Sequence, residues 1–156
     1  MSMVMDAADP DWWYVAEKGG RIYRFANDAT VGSKTLLLDI GDRLVSLSET
    51  GLLGFALHPD FASNRWVYLS FAEPGEDGAS TALGRGRLEE GKLEDFEVIF
   101  RQEPKVDEEN HFGGRIVFTG DETLFFTLGE RFLFDPAQDL SNHLGTIVRL
   151  NHDGSA

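Results

Sequence analysis

Short runs of apolar residues, separated by turn-forming residues, follow one another along almost the whole chain. In several runs apolar and polar positions alternate, and a period of two places the side chains of an extended strand on opposite faces. The alternation is clearest in RIYRF, WVYLSF and TIVRL. This pattern predicts an all-β domain of antiparallel strands. Only FDPAQDLSNHL predicts a helical turn, with Asp135 as its cap.

Glycine and proline mark the turns between the predicted strands. Gly19-Gly20 can supply the positive φ angles of a tight hairpin. His58-Pro59-Asp60 ends a strand, because proline cannot donate a ladder hydrogen bond. Further turns are predicted at Glu90-Gly91 and Gly120-Asp121.

The predicted strands repeat with a period of about 50 residues, and four short strands per repeat are typical of a β-propeller blade. Residues 51–104 form one complete unit, residues 105–156 repeat its first three strands, and residues from about 11 to 50 match its last three. We therefore predict a single partial propeller domain over residues 1–156, with about two and a half blades. A closed propeller needs about four to eight blades, so the chain is too short to close one.

Composition excludes several classes of protein. The chain is 42% hydrophobic and 26% charged, which is typical of a globular domain, and it has no cysteine for a disulfide, a thiolate metal site or a nucleophile. Its net charge of −13 opposes binding to nucleic acid or to an anionic membrane surface. We expect no membrane span, and no signal peptide in this chain, because the first twenty residues lack a basic segment and an apolar run.

Three motifs, in order along the chain, resemble one enzyme family. They are TGLLGFALHPDFASNRWVYLSF, HFGGRIVF and AQDLSNHLGTIVRLNHDGS. They are similar to the soluble aldose sugar dehydrogenases that use pyrroloquinoline quinone (PQQ), within the glucose/sorbosone dehydrogenase group. The resemblance implies a six-bladed propeller, of which this chain is the N-terminal part. It also implies oxidation of the anomeric carbon of aldose sugars to lactones, with an external electron acceptor and a periplasmic or secreted location. PQQ and calcium are the implied cofactors, with the calcium ligands expected after Ala156.

The resemblance assigns roles to three residues of this sequence. The histidine that opens the H-x-x-G-R motif is the family's general base, and it falls on His111; it removes the proton of the anomeric hydroxyl while hydride passes to the quinone. Glu130 stands where the family places an orienting aspartate, in a T-x-G-D pattern, and Phe132 replaces the usual glycine two positions later. Glu49, two residues before GLLG, is implied to lie near cofactor and sugar, as is His111. No metal ligand is assigned within the chain.

Each of these residues also has a purely structural interpretation. His111 can be a turn residue between strands, and Glu130 and Glu49 can be solvated loop carboxylates. The other histidines are interpreted as structural: His58 ends a strand and His143 braces a loop. At the level of function, the alternatives are a non-catalytic propeller that acts as a binding or scaffold module, and an inactive fragment that forms homo-oligomers, most simply dimers, to complete a ring.

Overall fold

The computed structural model describes residues 2–5, 9–90 and 92–156. These residues form three antiparallel sheets, which confirms the predicted all-β architecture. The first sheet contains β1 (Ser2–Met5), β2 (Trp12–Ala16), β3 (Arg21–Ala26) and β4 (Thr35–Asp39). The second contains β5 (Leu52–Leu57), β6 (Trp66–Gly75), β7 (Gly78–Glu89) and β8 (Lys92–Arg101). The third contains β9 (Gly113–Phe118), β10 (Thr123–Leu128) and β11 (Ile147–Asn151).

The first sheet corrects the strand count predicted from the sequence. It has four strands, because β1 pairs with β2 over the register Ser2↔Ala16 to Met5↔Trp13, whereas the repeat indicated three strands beginning near residue 11. The segment SMVM is only four residues long, too short for its alternation to be distinguished from chance. Gly91, part of a predicted turn, lies outside the described residues.

Helical structure in the described residues is confined to single turns. They are α1 (Phe61–Asn64) and two 3₁₀ turns, Gly41–Arg43 and Asp135–Gln138. The last coincides with the predicted helical turn, but its cap is Phe134 rather than Asp135, and no side chain caps it. None of these helices is long and apolar enough to cross a membrane.

The sheets stack face to face, in the manner of consecutive propeller blades. Strand β6 shows why: Val67 and Leu69 pack into the core between the first and second sheets, while Tyr68 packs into the core between the second and third. Both faces of this strand are therefore apolar and buried. The first strand of each sheet lies innermost, since β1 contacts β5 and β5 contacts β9.

Loops from two sheets meet at one end of this stack. The loop before β5 and the loop before β9 both lie at this end, because the inner strands β5 and β9 begin there. The loop after β10 joins them, because Leu128 at the end of β10 pairs with Gly113 at the start of β9. The three loops carry Glu49, His111 and Glu130, so the fold brings together residues that lie far apart in sequence.

Candidate active site

His111 occupies the centre of this loop cluster. Its Nδ1 atom lies 2.7 Å from Oε1 and 3.0 Å from Oε2 of Glu130. Its backbone N–H donates to Oε2 of Glu49 at 2.9 Å. The structure thus brings both predicted carboxylates into contact with His111. Glu130 contacts the imidazole ring, and Glu49 contacts the main chain.

The contact with Glu130 determines which nitrogen of His111 carries a proton. The hydrogen bond from His111 holds the pKa of the Glu130 carboxyl below its usual range, so at neutral pH this group is a carboxylate and can only accept. Nδ1 must then be the donor, and in the neutral ring Nε2 carries an unshared electron pair. The His111 side chain is 43% exposed, which leaves the ring accessible. The arrangement provides a proton acceptor oriented by a carboxylate.

Glu49 contacts the backbone of His111 and not its ring. It lies in the exposed loop before β5, so its hydrogen bond ties the second sheet to the loop that begins the third. Among the described contacts its role is to hold the main chain in place. The predicted contact of Glu49 with a cofactor stays a prediction.

Gly129 permits the close approach of the two loops on the third sheet. A Cβ atom at this position would overlap the carbonyl oxygen of His111. The Gly129 N–H also donates to the carbonyl of Phe112 at 3.0 Å. Glycine in the T-x-G-E pattern is therefore required by the packing of Glu130's loop against the loop of His111.

Arg131 is a residue of this site that the sequence did not reveal. It is fully buried, and its guanidinium lies 3.5 Å from the centre of the Phe112 ring. It donates from Nε to the carbonyl of Asn110 at 3.0 Å and from Nη1 to the carbonyl of Ala79 at 2.5 Å. Burial lowers its pKa to about 10, so it stays charged at neutral pH. In the sequence, Arg131 simply follows the acidic residue Glu130, and nothing in this pattern distinguishes a buried arginine from a solvent-exposed arginine.

Two phenylalanines form an apolar wall beside the imidazole ring. Phe132 stands perpendicular to His111 with ring centres 5.1 Å apart, and Phe134 lies 4.9 Å from Phe132. Both rings are exposed, by 50% and 61%. The position at which the family pattern has a glycine is thus occupied here by a ring that contacts the proposed base.

A cleft of about 470 Å³ runs along the inner strands. It begins at Gly113, two residues beyond His111, and continues between β1, β5 and β9. Its lining residues include Ser2, Met3, Leu53, Gly54, Gly114 and Arg115. Gly54 and Gly114 allow β5 and β9 to pack closely beside it, since a Cβ atom on Gly54 would meet the Gly114 carbonyl at 2.8 Å.

Among the described residues, the other histidines make no hydrogen bond or ring contact with His111. His143 accepts a hydrogen bond from the backbone of Glu103 through Nδ1 at 3.0 Å and thus braces a loop. His58 and His152 lie at the opposite end of the sheets, where Nε2 of His58 is 2.8 Å from Nδ1 of His152. Within residues 2–5, 9–90 and 92–156, no three histidine or acidic side chains are grouped so as to hold a metal ion.

Comparison with known proteins gives consistent matches. A family model described as glucose/sorbosone dehydrogenase matches residues 2–156. Aldose sugar dehydrogenase YliI of Escherichia coli is 50% identical over 109 residues, covering 68% of this chain and 29% of that protein. Quinoprotein glucose dehydrogenase B of Acinetobacter calcoaceticus is 27% identical over 133 residues, covering 69% of this chain and 28% of that protein.

Solved structures give the same picture. The soluble aldose sugar dehydrogenase of Escherichia coli, in its apo form, superposes with a TM-score of 0.89 at 36% identity, over 99% of this chain and 44% of that one. The PQQ-bound form of aldose sugar dehydrogenase from Streptomyces coelicolor superposes with a TM-score of 0.73 at 31% identity, over 92% of this chain and 42% of that one. The chain thus spans less than half the length of these relatives.

Proposed function

Because the chain belongs to the glucose/sorbosone dehydrogenase family, we propose that it forms part of a PQQ-dependent aldose dehydrogenase that oxidises the anomeric carbon of aldose sugars to lactones. The observation that carries the proposal is the hydrogen bond between Nδ1 of His111 and the Glu130 carboxylate. It leaves Nε2 of an accessible imidazole ready to accept a proton.

The proposed reaction assigns one step to His111. Oxidation of an aldose at its anomeric carbon removes the hydroxyl proton and a hydride from carbon. Nε2 of His111 accepts the proton, and the imidazolium that forms is stabilised by the adjacent Glu130 carboxylate. PQQ, when bound, would supply the hydride acceptor, and an external acceptor would be needed to reoxidise it. Glu49 contributes by holding the backbone N–H of His111.

The residues of this chain account for the proton acceptor of such a site. They do not account for the groups that would bind PQQ. PQQ carries three carboxylates, which need cationic or N–H donors. The ionisable groups hydrogen-bonded to His111 are Glu130 and Glu49, both acidic, and the nearby Arg131 is buried beneath Phe112. We assign His111 to the sugar side of the site as its proton acceptor, and propose from the family membership alone that His111 and Glu49 also lie near the cofactor. We assign no residue of this chain to the cofactor carboxylates or to calcium.

The apolar wall beside His111 suits a sugar substrate. The C–H faces of a pyranose ring are apolar, and exposed aromatic rings commonly pack against such surfaces. Phe132 lies next to the proposed base, so a sugar packed on this ring would lie beside the imidazole of His111. A periplasmic or secreted location, by likeness to the family, belongs to the same proposal.

The test is a comparison of two histidine variants in the protein that contains this segment, loaded with PQQ. His111→Ala should lower the rate of aldose-dependent dye reduction by about 10²-fold or more, the usual scale for losing a general base. His143→Ala should cost much less, because that ring accepts from the N–H of Glu103 and is not hydrogen-bonded to His111 or Glu130. Equal losses from the two substitutions would show that the base is misassigned. Failure of the unsubstituted protein to bind PQQ in a spectroscopic titration would favour the non-catalytic scaffold.

A further inference from the structure

We propose that Arg131 is a positioning residue, which fixes the main chain at Asn110 and His111 and thereby holds the imidazole against Glu130. The inference deepens the proposed function at the same site. It rests on contacts that exist whether or not the chain oxidises sugars.

The side chain of Arg131 joins its own loop to two other segments. Nε donates to the carbonyl of Asn110 at 3.0 Å, and Nη1 donates to the carbonyl of Ala79 at 2.5 Å. Ala79 belongs to β7 of the second sheet, whereas Asn110 directly precedes His111. The planar guanidinium therefore sets the His111 loop at a fixed distance from the second sheet.

The main chain of Arg131 adds a second point of attachment. Its N–H lies 3.4 Å from the carbonyl oxygen of His111. The two peptide carbonyls that flank the His111 main chain thus both face Arg131, one toward its side chain and one toward its backbone. Glu130, the preceding residue, holds the ring of the same histidine. Two consecutive residues of one loop fix both the backbone and the imidazole of His111.

The backbone of His111 needs such support. Its φ angle is +52°, and that of Arg131 is +59°. Residues other than glycine rarely adopt this left-handed region, and it persists where surrounding contacts hold it. Released from the contacts of Arg131, the His111 loop would relax, and the distance from Nδ1 to the Glu130 carboxylate would no longer be fixed.

The burial of Arg131 is costly, and positioning accounts for it. A fully buried cation loses its hydration, and no carboxylate lies within ion-pair distance of Arg131 among the described residues. Its Nη2 atom is buried without a hydrogen-bond partner in the same part of the chain. An apolar side chain would fill the space beneath Phe112 without this cost. It would remove the side-chain donor to the Asn110 carbonyl and leave the Ala79 carbonyl with the N–H of Val106 alone, at 3.3 Å.

Arg65 provides a matched control. Its guanidinium lies 4.0 Å from the centre of the Phe61 ring, it donates from Nε to the carbonyl of Leu88 at 3.3 Å, and its φ angle is +60°. It therefore has the same kinds of contact as Arg131, at a place remote from His111. Loss of either arginine should lower thermal stability, but only loss of Arg131 should alter His111.

The experiment uses the 156-residue chain and nuclear magnetic resonance of its histidines. Arg131→Gln and Arg131→Lys should lower the fraction of His111 in the Nδ1–H tautomer. They should also raise the amide hydrogen-exchange rate of His111, whose N–H is bonded to Glu49, by about tenfold or more, the scale of one charge-assisted hydrogen bond. Lysine keeps the charge but lacks the planar fork that reaches both carbonyls. Arg65→Lys should leave both His111 signals as in the unsubstituted chain.

A measurement on the unsubstituted chain covers the case in which the variants do not fold. The Nε–H of Arg131 should exchange slowly with water and show a through-hydrogen-bond coupling to the carbonyl of Asn110. Absence of this coupling would overturn the proposal. So would Arg131 variants that lose thermal stability while the tautomer and amide exchange of His111 stay unchanged. Neither result depends on sugar oxidation, so failure of the proposed reaction is distinguishable from failure of this inference.

Discussion

At the scale of single residues, the role of His111 depends on the groups around it. The same side chain in a solvated turn would be a poor general base, because either ring nitrogen could carry the proton. The Glu130 carboxylate removes that freedom. The extra methylene of glutamate, relative to the aspartate of the family pattern, does not prevent the contact.

Glu130→Gln is the first prediction at this scale. The amide oxygen of glutamine can still accept from Nδ1, but the charge that stabilises the imidazolium is lost. We expect the aldose oxidation rate to fall by about tenfold or more, yet by less than in His111→Ala. Steady-state reduction of a dye measures the aldose oxidation rate of each variant. Glu122→Gln, an exposed carboxylate after the turn at Gly120, is the matched control. An unchanged rate in Glu130→Gln would show that the carboxylate charge is not used.

At the scale of elements, the site depends on how closely two loops of the third sheet approach each other. Gly129→Ala would place a methyl group on the carbonyl oxygen of His111. We expect a loss of about 1–3 kcal/mol in the free energy of unfolding, the usual scale for overpacking. Gly120→Ala is the control, because a Cβ atom there would have no other group within 4 Å. Equal urea midpoints for the two variants would contradict the loop packing described here.

The pair of histidines at the opposite end joins the second and third sheets and predicts a pH dependence. Nδ1 of His58 accepts from the N–H of Asp60 at 2.9 Å, so its neutral ring donates from Nε2 to His152. Burial, followed by the charge of His152, lowers the pKa of His58 from its usual value near 6.5, with Arg85 adding to the effect and Asp60 and Glu122 opposing it. Because the folded chain favours the neutral ring, its contribution to stability is complete above about pH 6.5. It is lost as the pH falls toward the lower pKa of the folded state.

His58→Gln isolates this contribution, since glutamine does not titrate. Between pH 7.5 and pH 5.5 the unsubstituted chain should lose more stability than His58→Gln does. Urea unfolding at the two pH values measures the free energy of unfolding lost by each protein. The carboxylates titrate alike in the two proteins and cancel from the comparison. A larger loss in the variant would contradict the direction assigned to His58.

At the scale of the whole molecule, each outer sheet has an uncovered apolar face. The first sheet exposes Met3, Met5 and Leu36, by 58%, 39% and 48%. The third exposes Val117, Phe125 and Ile147, by 50%, 41% and 68%. Val117 and Phe125 are cross-strand partners, so this face is continuous. Burying such surfaces contributes about 25 cal/mol per Å², and the net charge of −13 opposes association only over about 8 Å at physiological salt.

We predict that the 156-residue chain associates with itself, most simply as a dimer in which the face of the third sheet meets that of the first. Phe125→Lys should weaken this association, because it places a charge in the centre of one face. Light scattering coupled to size exclusion at micromolar concentration measures the mass. A well-folded monomer of 17.4 kDa would contradict the prediction.

The sequence predicted most of this arrangement, and its omissions have physical reasons. The strands of the second sheet were clear because glycine and proline turns separate long alternating runs. Strand β1 was missed because four residues carry too little periodicity. His111, Glu130 and Glu49 could be assigned from family motifs, but their contacts join loops 19 and 62 positions apart in sequence. Arg131 could not be predicted, since its burial is a property of the packed loops.

The most direct test of this account is the tautomer of His111 in the unsubstituted chain. A long-range nitrogen–proton correlation spectrum at pH 7.5 distinguishes a protonated ring nitrogen from one with a free electron pair. The account predicts that Nδ1 carries the proton, held by Glu130, and that Nε2 carries none. A spectrum in which Nε2 is protonated and Nδ1 is free would contradict it, because His111 would then have no proton acceptor to offer a sugar hydroxyl.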